Sequence, residues 1–416
     1  MEGALSLLSR KESVAENWQR LLFVLYSVTY FFDGITRYKH AIHIAILITA
    51  VTIIWKDKAL LKTMFSRDKI FLPLLVLVYG LYSTFISIDT HLSLKYFNQH
   101  ILLTNFLLPL MVSVLLLNLS VQQVARTWLQ SLIVLFIVLT ISEAYTYIRE
   151  YRNGVLPFTN FDHRFITDAL IFSLPALLWL TLNKRPASLA CLVIAAAIYI
   201  FLTLGTLQRG TWVSIFALFL LWCFFMRRWK FCSLVLGAGV CFLVVLSLFS
   251  TKQTELVNHK LHQTDSSQRF GSGTQGAGLD MILENPVIGY GLGDKVYLKA
   301  YAQNLDSHPD WFFREPISPH NIYLSFWFSA GIPGLIALIL FFAVLFRTSF
   351  IHWKNTTNET QHAWLSIMLI ASSAYLVRGI VELSDFDSTS LLIALVIGLT
   401  APRPQTADRW PLTADR

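Results

Sequence analysis

The sequence is poor in charge: Asp, Glu, Lys and Arg together make up only 14% of its 416 residues. Soluble domains carry about 25% charged residues, so this chain has too little polar surface to cover a water-soluble globule. Hydrophobic residues make up 55% of the chain, and its mean hydropathy is +0.56. These values exclude an ordinary soluble domain and favour an integral membrane protein.

Cysteine is also scarce, and the pattern contains no CxxC spacing. All four cysteines lie in apolar segments, so the sequence predicts packed thiols and neither a disulfide framework nor a zinc site. They are Cys191, Cys223, Cys232 and Cys241. No Gly-Lys-Ser/Thr sequence is present, which argues against a nucleotide-binding P-loop. The net charge of +8 comes from scattered basic residues, so no nucleic-acid partner is predicted.

Apolar runs near the bilayer-spanning length of about 20 residues recur along the chain. Because a lipid-exposed backbone must satisfy its own hydrogen bonds, these runs predict helices and an all-α fold. We expect about twelve transmembrane helices, at 21–36, 40–55, 70–88, 101–118, 128–147, 165–182, 187–205, 211–226, 231–250, 321–346, 362–378 and 386–402. The polar start of the chain lacks a cleavage signature, so we expect an anchor and not a removable signal peptide.

Basic residues predict the orientation of these helices. With a cytoplasmic N-terminus, 19 of the 33 lysines and arginines fall on the cytoplasmic side and eight in the short loops opposite. The predicted organisation is helices 1–9 within 1–250, a large loop outside the cytoplasm at 251–320, helices 10–12 within 321–402, and a cytoplasmic tail at 403–416.

Arg209 lies in a very short connection between the predicted seventh and eighth helices, next to Gln208 and Gly210. A guanidinium group binds phosphate oxygens through two parallel hydrogen bonds, so Arg209 and Gln208 are candidate binding residues for a phosphate-bearing substrate. The alternative is a membrane-boundary arginine that extends its charge to water.

Arg269 precedes a glycine-rich run, Gly271 to Gly276, in the large loop. Glycines allow backbone N–H groups to face an anion, and Arg269 is a second candidate phosphate ligand. The alternative for the glycine run is a mobile linker.

His320 lies between Pro319 and Asn321, where the polar loop meets the predicted tenth helix. A neutral histidine accepts a proton near physiological pH, so His320 is the candidate general base and Asn321 is a candidate to orient it. An ordinary helix start with an Asn cap is the alternative. His163 is a secondary candidate on the same face, whereas His259, His262 and His308 are expected to be solvated loop residues.

A cluster of ionisable residues lies between the last two predicted helices: Arg378, Glu382, Asp385 and Asp387. Such groups at this depth are often functional, which makes Arg378 and Asp385 candidate substrate ligands. A structural Arg378–Glu382 ion pair, four residues apart, is the alternative. A pair of carboxylates would also suit an acid–base pair of the glycosidase type.

Together these motifs resemble the bacterial O-antigen ligase and polymerase superfamily. The resemblance rests on Leu207-Gln208-Arg209-Gly210, Arg269, Glu284-Asn285-Pro286-Val287-Ile288-Gly289-Tyr290-Gly291-Leu292-Gly293, His320-Asn321-Ile322-Tyr323-Leu324, Gly331 and Gly334. The motifs that carry the resemblance lie within about 205–335, and the number and direction of the predicted helices extend it over the whole chain.

The resemblance implies a GT-C-like membrane enzyme that transfers glycans on the periplasmic face of the bacterial inner membrane. The implied donor is a glycan on undecaprenyl pyrophosphate, and the implied acceptor of a ligase is a sugar of the lipid A-core. The arginines would bind the pyrophosphate while His320 deprotonates the acceptor in an inverting displacement. The family requires no metal, nucleotide or other cofactor, and its contacts include membrane lipids.

Two alternatives stay open at this point. A polymerase would use a second undecaprenyl-linked glycan as its acceptor, although residues 269–324 are more similar to the ligase type. A polysaccharide or lipid transporter would also have many helices, but it should show repeated halves and ionisable residues at mid-membrane depth. The sequence shows no such repeat.

Overall fold

A computed structural model describes residues 14–182, 186–248, 255–262, 269–382 and 386–400. Within these ranges the chain forms 17 α-helices with short π and 3-10 segments, and no strand. The helices are α1 Val14–Thr29, α2 Thr36–Lys56, α3 Ala59–Met64, α4 Arg67–Phe85, α5 Thr90–Tyr96, α6 Leu108–Leu117, α7 Val121–Arg152, α8 Thr167–Leu180, α9 Pro186–Gly205, α10 Arg209–Phe225, α11 Trp229–Leu248, α12 Glu255–His262, α13 Thr274–Glu284, α14 Asp294–Asn304, α15 Ile322–Asn355, α16 Asn358–Ile370 and α17 Thr389–Thr400. The all-α prediction is confirmed for the part of the chain described here.

Each predicted apolar segment coincides with a helix, but the boundaries differ. Six helical runs among the described residues are long and apolar enough to cross a membrane: Thr36–Lys56, Thr90–Leu117, Val121–Arg152, Asp162–Leu180, Ile322–Asn355 and Asn358–Ile380. Lys69–Phe85, Ala190–Gly205, Arg209–Phe225, Trp229–Cys241 and Phe386–Thr400 are shorter apolar helices. The count of twelve crossings therefore stays a prediction.

The helices pack around α7 and α17. Helix α7 contacts α1, α8 and α16, and α17 packs against α6 with every residue from Thr389 to Leu399 buried. The indole of Trp128 on α7 donates a hydrogen bond to Ser366 Oγ at 2.7 Å, which satisfies its only polar atom in the core. This buried bundle supports the helices that reach the loop region.

Other helices expose apolar side chains on the outside of the bundle. On α2, Leu47 is 50% exposed and Ile48 is 61% exposed. A large exposed apolar surface is unfavourable in water but suits contact with lipid chains. Cys191 and Cys241 also lie exposed, whereas Cys223 and Cys232 are buried. The prediction of packed thiols is therefore wrong for Cys191 and Cys241, because the helices that carry them present these positions outward.

The predicted polar loop contains helices of its own, α12 to α14. Helices α13 and α14 enclose a second, smaller hydrophobic core that includes Met281, Tyr301 and Trp311 and reaches Phe328 on α15. The loop therefore forms a compact helical cap over the beginning of α15. The glycine run before α13 makes a turn in which Gln275 N donates to Arg269 O at 2.8 Å. The mobile-linker interpretation of this run is not supported.

Helix α15 is broken about one quarter of the way along, at Ala330 and Gly331. Ala330 and Gly331 leave helical geometry, and Gly331 has φ +61°. A break frees carbonyl and N–H groups that need new partners. The carbonyls of Phe328 and Ser329 accept hydrogen bonds from Tyr290 N at 2.8 Å and Gly291 N at 3.1 Å.

The segment that holds this break is the glycine-rich motif, residues 285–293, which we call the glycine clamp. Ile332 N donates to Pro286 O at 3.0 Å, so the clamp also satisfies a donor beyond the break. A Cβ on Gly331 would lie 2.0 Å from Val287 O, so only glycine allows this close approach. The motif thus fixes the angle at which the first turns of α15 meet the helical cap.

Candidate active site

The predicted arginines meet near Glu382. Arg269 Nη2 donates to Glu382 Oε1 at 2.8 Å, and Glu382 is 13% exposed. Helix α10 begins at Arg209 and comes close to the same carboxylate, because a Cβ on Gly210 would lie 3.1 Å from Glu382 Cγ. Residues 209 and 269 are thereby brought together from two distant parts of the chain.

Two further cations lie beside these arginines. Burial lowers the pKa of the Lys260 ammonium below its ordinary value of 10.5, and the neighbouring Arg164, Arg209 and Arg269 lower it further. The Phe161 ring lies 4.2 Å from the Arg164 guanidinium and 5.5 Å from Lys260 Nζ, which holds both cations on one aromatic side chain. We call Arg164, Arg209, Lys260 and Arg269 the cationic cluster.

A backbone carbonyl connects the helical cap to the last helices. Ile380 O accepts hydrogen bonds from Gln275 Nε2 at 2.8 Å and from Asn321 Nδ2 at 3.0 Å. Asn321 Oδ1 accepts from Tyr323 N at 2.9 Å and from Leu324 N at 3.1 Å, and so caps α15. The capping interpretation of Asn321 is confirmed, and the same side chain fixes the residue that follows His320.

His320 has a left-handed backbone, with φ +48°, and its side chain is half-buried. This conformation is unfavourable for a non-glycine residue, and such strain often occurs at functional sites. Burial lowers the pKa of His320 below 6.5, Glu382 raises it and Arg269 lowers it again. The imidazole is therefore neutral at pH 7, with a lone pair to accept a proton, and it lies within electrostatic reach of both members of the Arg269–Glu382 pair.

Gln208 lies at the start of α10. Its Oε1 accepts a hydrogen bond from Thr211 Oγ1 at 3.0 Å, and its backbone carbonyl accepts from Thr211 N and Trp212 N. The side chain thus orders the turn that presents Arg209 to the cationic cluster.

His163 and Arg378 are buried instead of facing the cluster. His163 is 1% exposed, and its ring nitrogens bind Glu143 Oε2 at 2.6 Å and Glu150 Oε2 at 3.0 Å. Arg378 binds the Asp168 carboxylate and donates to Thr167 Oγ1 at 2.9 Å. The interpretation of an Arg378–Glu382 ion pair is corrected, because the Glu382 carboxylate binds Arg269.

The remaining predictions concern Asp385 and the three histidines that were expected to be solvated loop residues. Asp385 lies outside the described residues. His308 is not a simple solvated residue, since its ring stacks on Trp311 at 4.4 Å and binds Glu284 Oε1 at 3.1 Å. His259 lies exposed on α12 and His262 is the last residue of the same helix, so both belong to a helix and not to an irregular loop.

Sequence reasoning missed Arg164, Lys260 and Gln275 as members of the site. Arg164 and Lys260 lie in no distinguishing motif, and Gln275 lies in the glycine-rich run without being singled out there; only the folded chain places these side chains together. For Arg164 and Lys260, the one available signal was that they are basic residues predicted to lie outside the cytoplasm. Among the described residues, no group of three or more His, Cys, Asp or Glu side chains is arranged to hold a metal ion.

The apolar helices and the exposed apolar faces define a multi-pass helical membrane protein, and its polar site is a cationic centre with a neutral histidine. The model of the O-antigen ligase family matches residues 192–339, from α9 to the middle of α15. The O-antigen ligase of Salmonella typhimurium strain LT2 is 33% identical over 401 residues, which cover 95% of this chain and 98% of that relative. The chain belongs to the O-antigen ligase family and is an enzyme of that type.

Proposed function

We propose that this enzyme transfers an O-antigen glycan from undecaprenyl pyrophosphate to a sugar of the lipid A-core. The observation that carries the proposal is the convergence of four cations, one of which, Arg269, lies near a half-buried neutral histidine. Family membership supports the lipopolysaccharide substrates. No metal, nucleotide or other cofactor is part of the proposed reaction.

The cationic cluster is proposed to bind the donor pyrophosphate. Arg164, Arg209 and Arg269 lower the pKa of Lys260 by like-charge repulsion, and an anion with two or more charges would relieve that repulsion. Arg269 Nη1 is buried without a hydrogen-bond partner among the described residues, so this guanidinium still has a donor to offer. Arg209, at the start of α10, adds a second planar guanidinium group and the positive end of a helix dipole.

His320 is proposed to act as the general base. Its lone pair takes the proton of the acceptor hydroxyl while that oxygen attacks the anomeric carbon of the donor glycan. The bond between the anomeric carbon and the pyrophosphate oxygen breaks, and its electron pair leaves with the lipid pyrophosphate. The cationic cluster stabilises the charge that develops there, and Glu382 stabilises the imidazolium. Attack from the side opposite the leaving group inverts the anomeric configuration.

The remaining predicted residues are proposed to position this machinery. Gln208 and Asn321 order the helix starts that carry Arg209 and follow His320. The occupied ring nitrogens of His163 and the buried ion pair of Arg378 favour supporting roles over direct substrate contact. A substrate-binding role for Asp385, three residues after Glu382, remains a prediction.

The proposed topology has about twelve transmembrane helices in the inner membrane, with the cationic cluster facing the periplasm. The excess of basic residues on the opposite side supports this orientation. Single cysteines at 260 and at 358 should then react oppositely with a membrane-impermeant thiol reagent in spheroplasts, with only position 260 labelled. Labelling at 358 alone would invert the orientation and refute a periplasmic site.

The lipopolysaccharide of a strain that lacks this gene distinguishes a ligase from a polymerase. We expect lipopolysaccharide gels to show core without O-chain while lipid-linked polymer accumulates, and the wild-type gene should restore the ladder. Core that carries a single repeat unit would instead identify a polymerase.

A further inference from the structure

A second polar site lies beside His320, in a cavity of about 340 Å³. The cavity wall includes Pro319 and Ile322, which flank the His320–Asn321 pair in the chain. The other walls come from α4, the end of α5, the π segment Phe97–Leu107, the glycine clamp, the first turns of α14 and α15, and Phe386. The cavity is thus next to the proposed base yet is built largely from residues outside the cationic cluster.

The polar centre of this cavity is a histidine held by an aspartate. His100 Nδ1 lies 2.5 Å from Asp387 Oδ2, and Asp387 Oδ1 accepts from Asn105 Nδ2 at 2.8 Å. Thr389 Oγ1 donates to Asn105 Oδ1 at 3.1 Å, which extends the network into the core. His100 and Asn105 both lie on the π segment, a geometry that recurs at functional sites. The network fixes the orientation of the His100 ring at the cavity wall.

Aromatic rings form much of the remaining wall. Tyr96 stacks on His100 with 4.2 Å between ring centres, and Tyr79 stacks on Phe326 at 4.6 Å. Gly293 lets the Tyr96 ring approach the clamp, because a Cβ there would lie 2.8 Å from Tyr96 Cγ. Ring faces carry partial negative charge, so they attract the weakly positive C–H groups on the face of a sugar ring.

The charge of the cavity is opposite to that of the cationic cluster. Asp294 lines it at the start of α14, and no lysine or arginine belongs to the described residues of its wall. A carboxylate accepts hydrogen bonds from hydroxyl groups but repels phosphate. The wall therefore suits an uncharged, hydroxyl-rich ligand with an apolar face. Its volume lies at the low end of the range of small-molecule pockets, about 300–1,000 Å³, which allows about one or two sugar rings.

We propose that this cavity binds the terminal sugar of the acceptor, with Asp294 and the His100–Asp387 pair binding its hydroxyl groups and Tyr96 covering its face. The assignment rests on the proposed glycosyl transfer and adds a specificity site to it. It places the acceptor on one side of His320 and the donor pyrophosphate on the other. An anionic donor and a neutral acceptor are thereby directed to separate sites by charge.

The test compares Asp294→Asn and Tyr96→Leu with wild type and with a matched control, Asp306→Asn, which changes an exposed carboxylate outside the cavity. Purified protein is supplied with lipid-linked glycan and with lipopolysaccharide from a strain that makes no O-chain. Loss of a hydrogen bond to a charged group should raise the KM for the acceptor about tenfold in Asp294→Asn. The kcat, the KM for the donor and the control variant should stay within about twofold of wild type.

A binding measurement separates this assignment from the transfer reaction. Core oligosaccharide released from the same lipopolysaccharide is titrated into protein without donor, and Asp294→Asn and Tyr96→Leu should each bind it about tenfold more weakly. Unchanged binding and an unchanged acceptor KM would overturn the cavity assignment even if wild-type transfer proceeds. A raised donor KM with unchanged acceptor binding would overturn it too, because the cavity would then hold the donor glycan. Absence of transfer by wild type would refute the proposed function, while the oligosaccharide titration would still show whether the cavity binds the acceptor sugar.

Discussion

Replacement of Arg269 is the perturbation for which the structure predicts the largest effect on the donor. In Arg269→Ala the cationic cluster loses a guanidinium, and the Glu382 carboxylate, 13% exposed, loses its 2.8 Å partner. The variant therefore removes an attraction for the pyrophosphate and leaves a negative charge uncovered beside the same position.

The size of the effect follows from the lost hydrogen bond to the pyrophosphate and from the repulsion by the uncovered Glu382 carboxylate. A hydrogen bond to a charged group contributes about 1.5–3 kcal/mol. Two like charges about 6 Å apart repel by about 3 kcal/mol at an effective dielectric constant of about 20. Because the Arg269 side chain is 33% exposed, solvent screening reduces the sum, and we take about 3–4 kcal/mol. That range corresponds to a loss of about 10²–10³-fold in kcat/KM.

The assay measures transfer from lipid-linked glycan by equal amounts of purified wild type, Arg269→Ala, Arg269→Lys and the control Arg152→Ala. Arg152 is exposed at the end of α7 and should be replaceable without effect. Arg269→Lys should recover only part of the loss, since an ammonium group keeps the charge but not the planar pair of donors. More than half of wild-type activity in Arg269→Ala would remove this residue from the donor site.

Two further predictions concern the base and the glycine clamp. His320→Ala should lower kcat by about 10²–10⁴-fold with donor binding retained, whereas His259→Ala, at an exposed position on α12, should leave kcat unchanged. Because burial lowers the pKa of His320 from its ordinary value of 6.5, the acid limb of the wild-type kcat/KM profile should have its midpoint below pH 6.5. A midpoint above pH 6.5, or near-normal turnover of the alanine variant, would contradict the role as base. Gly331→Ala should destabilise the protein in detergent by about 3 kcal/mol or more, since its Cβ would lie 2.0 Å from Val287 O. The control is Gly237→Ala on α11, which has open space around it and should be neutral or slightly stabilising. Equal melting temperatures for Gly331→Ala and wild type would refute the account of the break in α15.

The helical fold was predictable because its cause is local. Runs of apolar residues, with few charges, leave a helix as the way to satisfy the backbone in lipid. The ends of the helices were less predictable, since polar turns such as Arg149 to Arg152 continue α7 well past the apolar run. The break at Gly331 depends on Pro286 and Tyr290, about 40 residues earlier, and a local pattern carries no information about such partners.

The site was predictable in part for the same reason. Arg209, Arg269 and His320 occur in recognisable local contexts, but the partner of each is set by the tertiary fold. Glu382 illustrates the difficulty: its spacing from Arg378 favours a helical ion pair, yet the chain leaves the α-helix there and the carboxylate reaches Arg269 instead. Lys260 has an ordinary sequence context, and only its neighbours in space identify it as part of the site.

The central claim is that the cationic cluster and His320 transfer a glycan from a lipid pyrophosphate without a metal ion. The most direct test is transfer by purified wild-type protein, supplied with undecaprenyl-pyrophosphate-linked glycan and O-chain-free lipopolysaccharide, in the presence of a strong chelator. The account predicts that glycan-bearing lipopolysaccharide forms at the same rate with and without chelator. Loss of product on chelation, or no product from this donor under either condition, would contradict it.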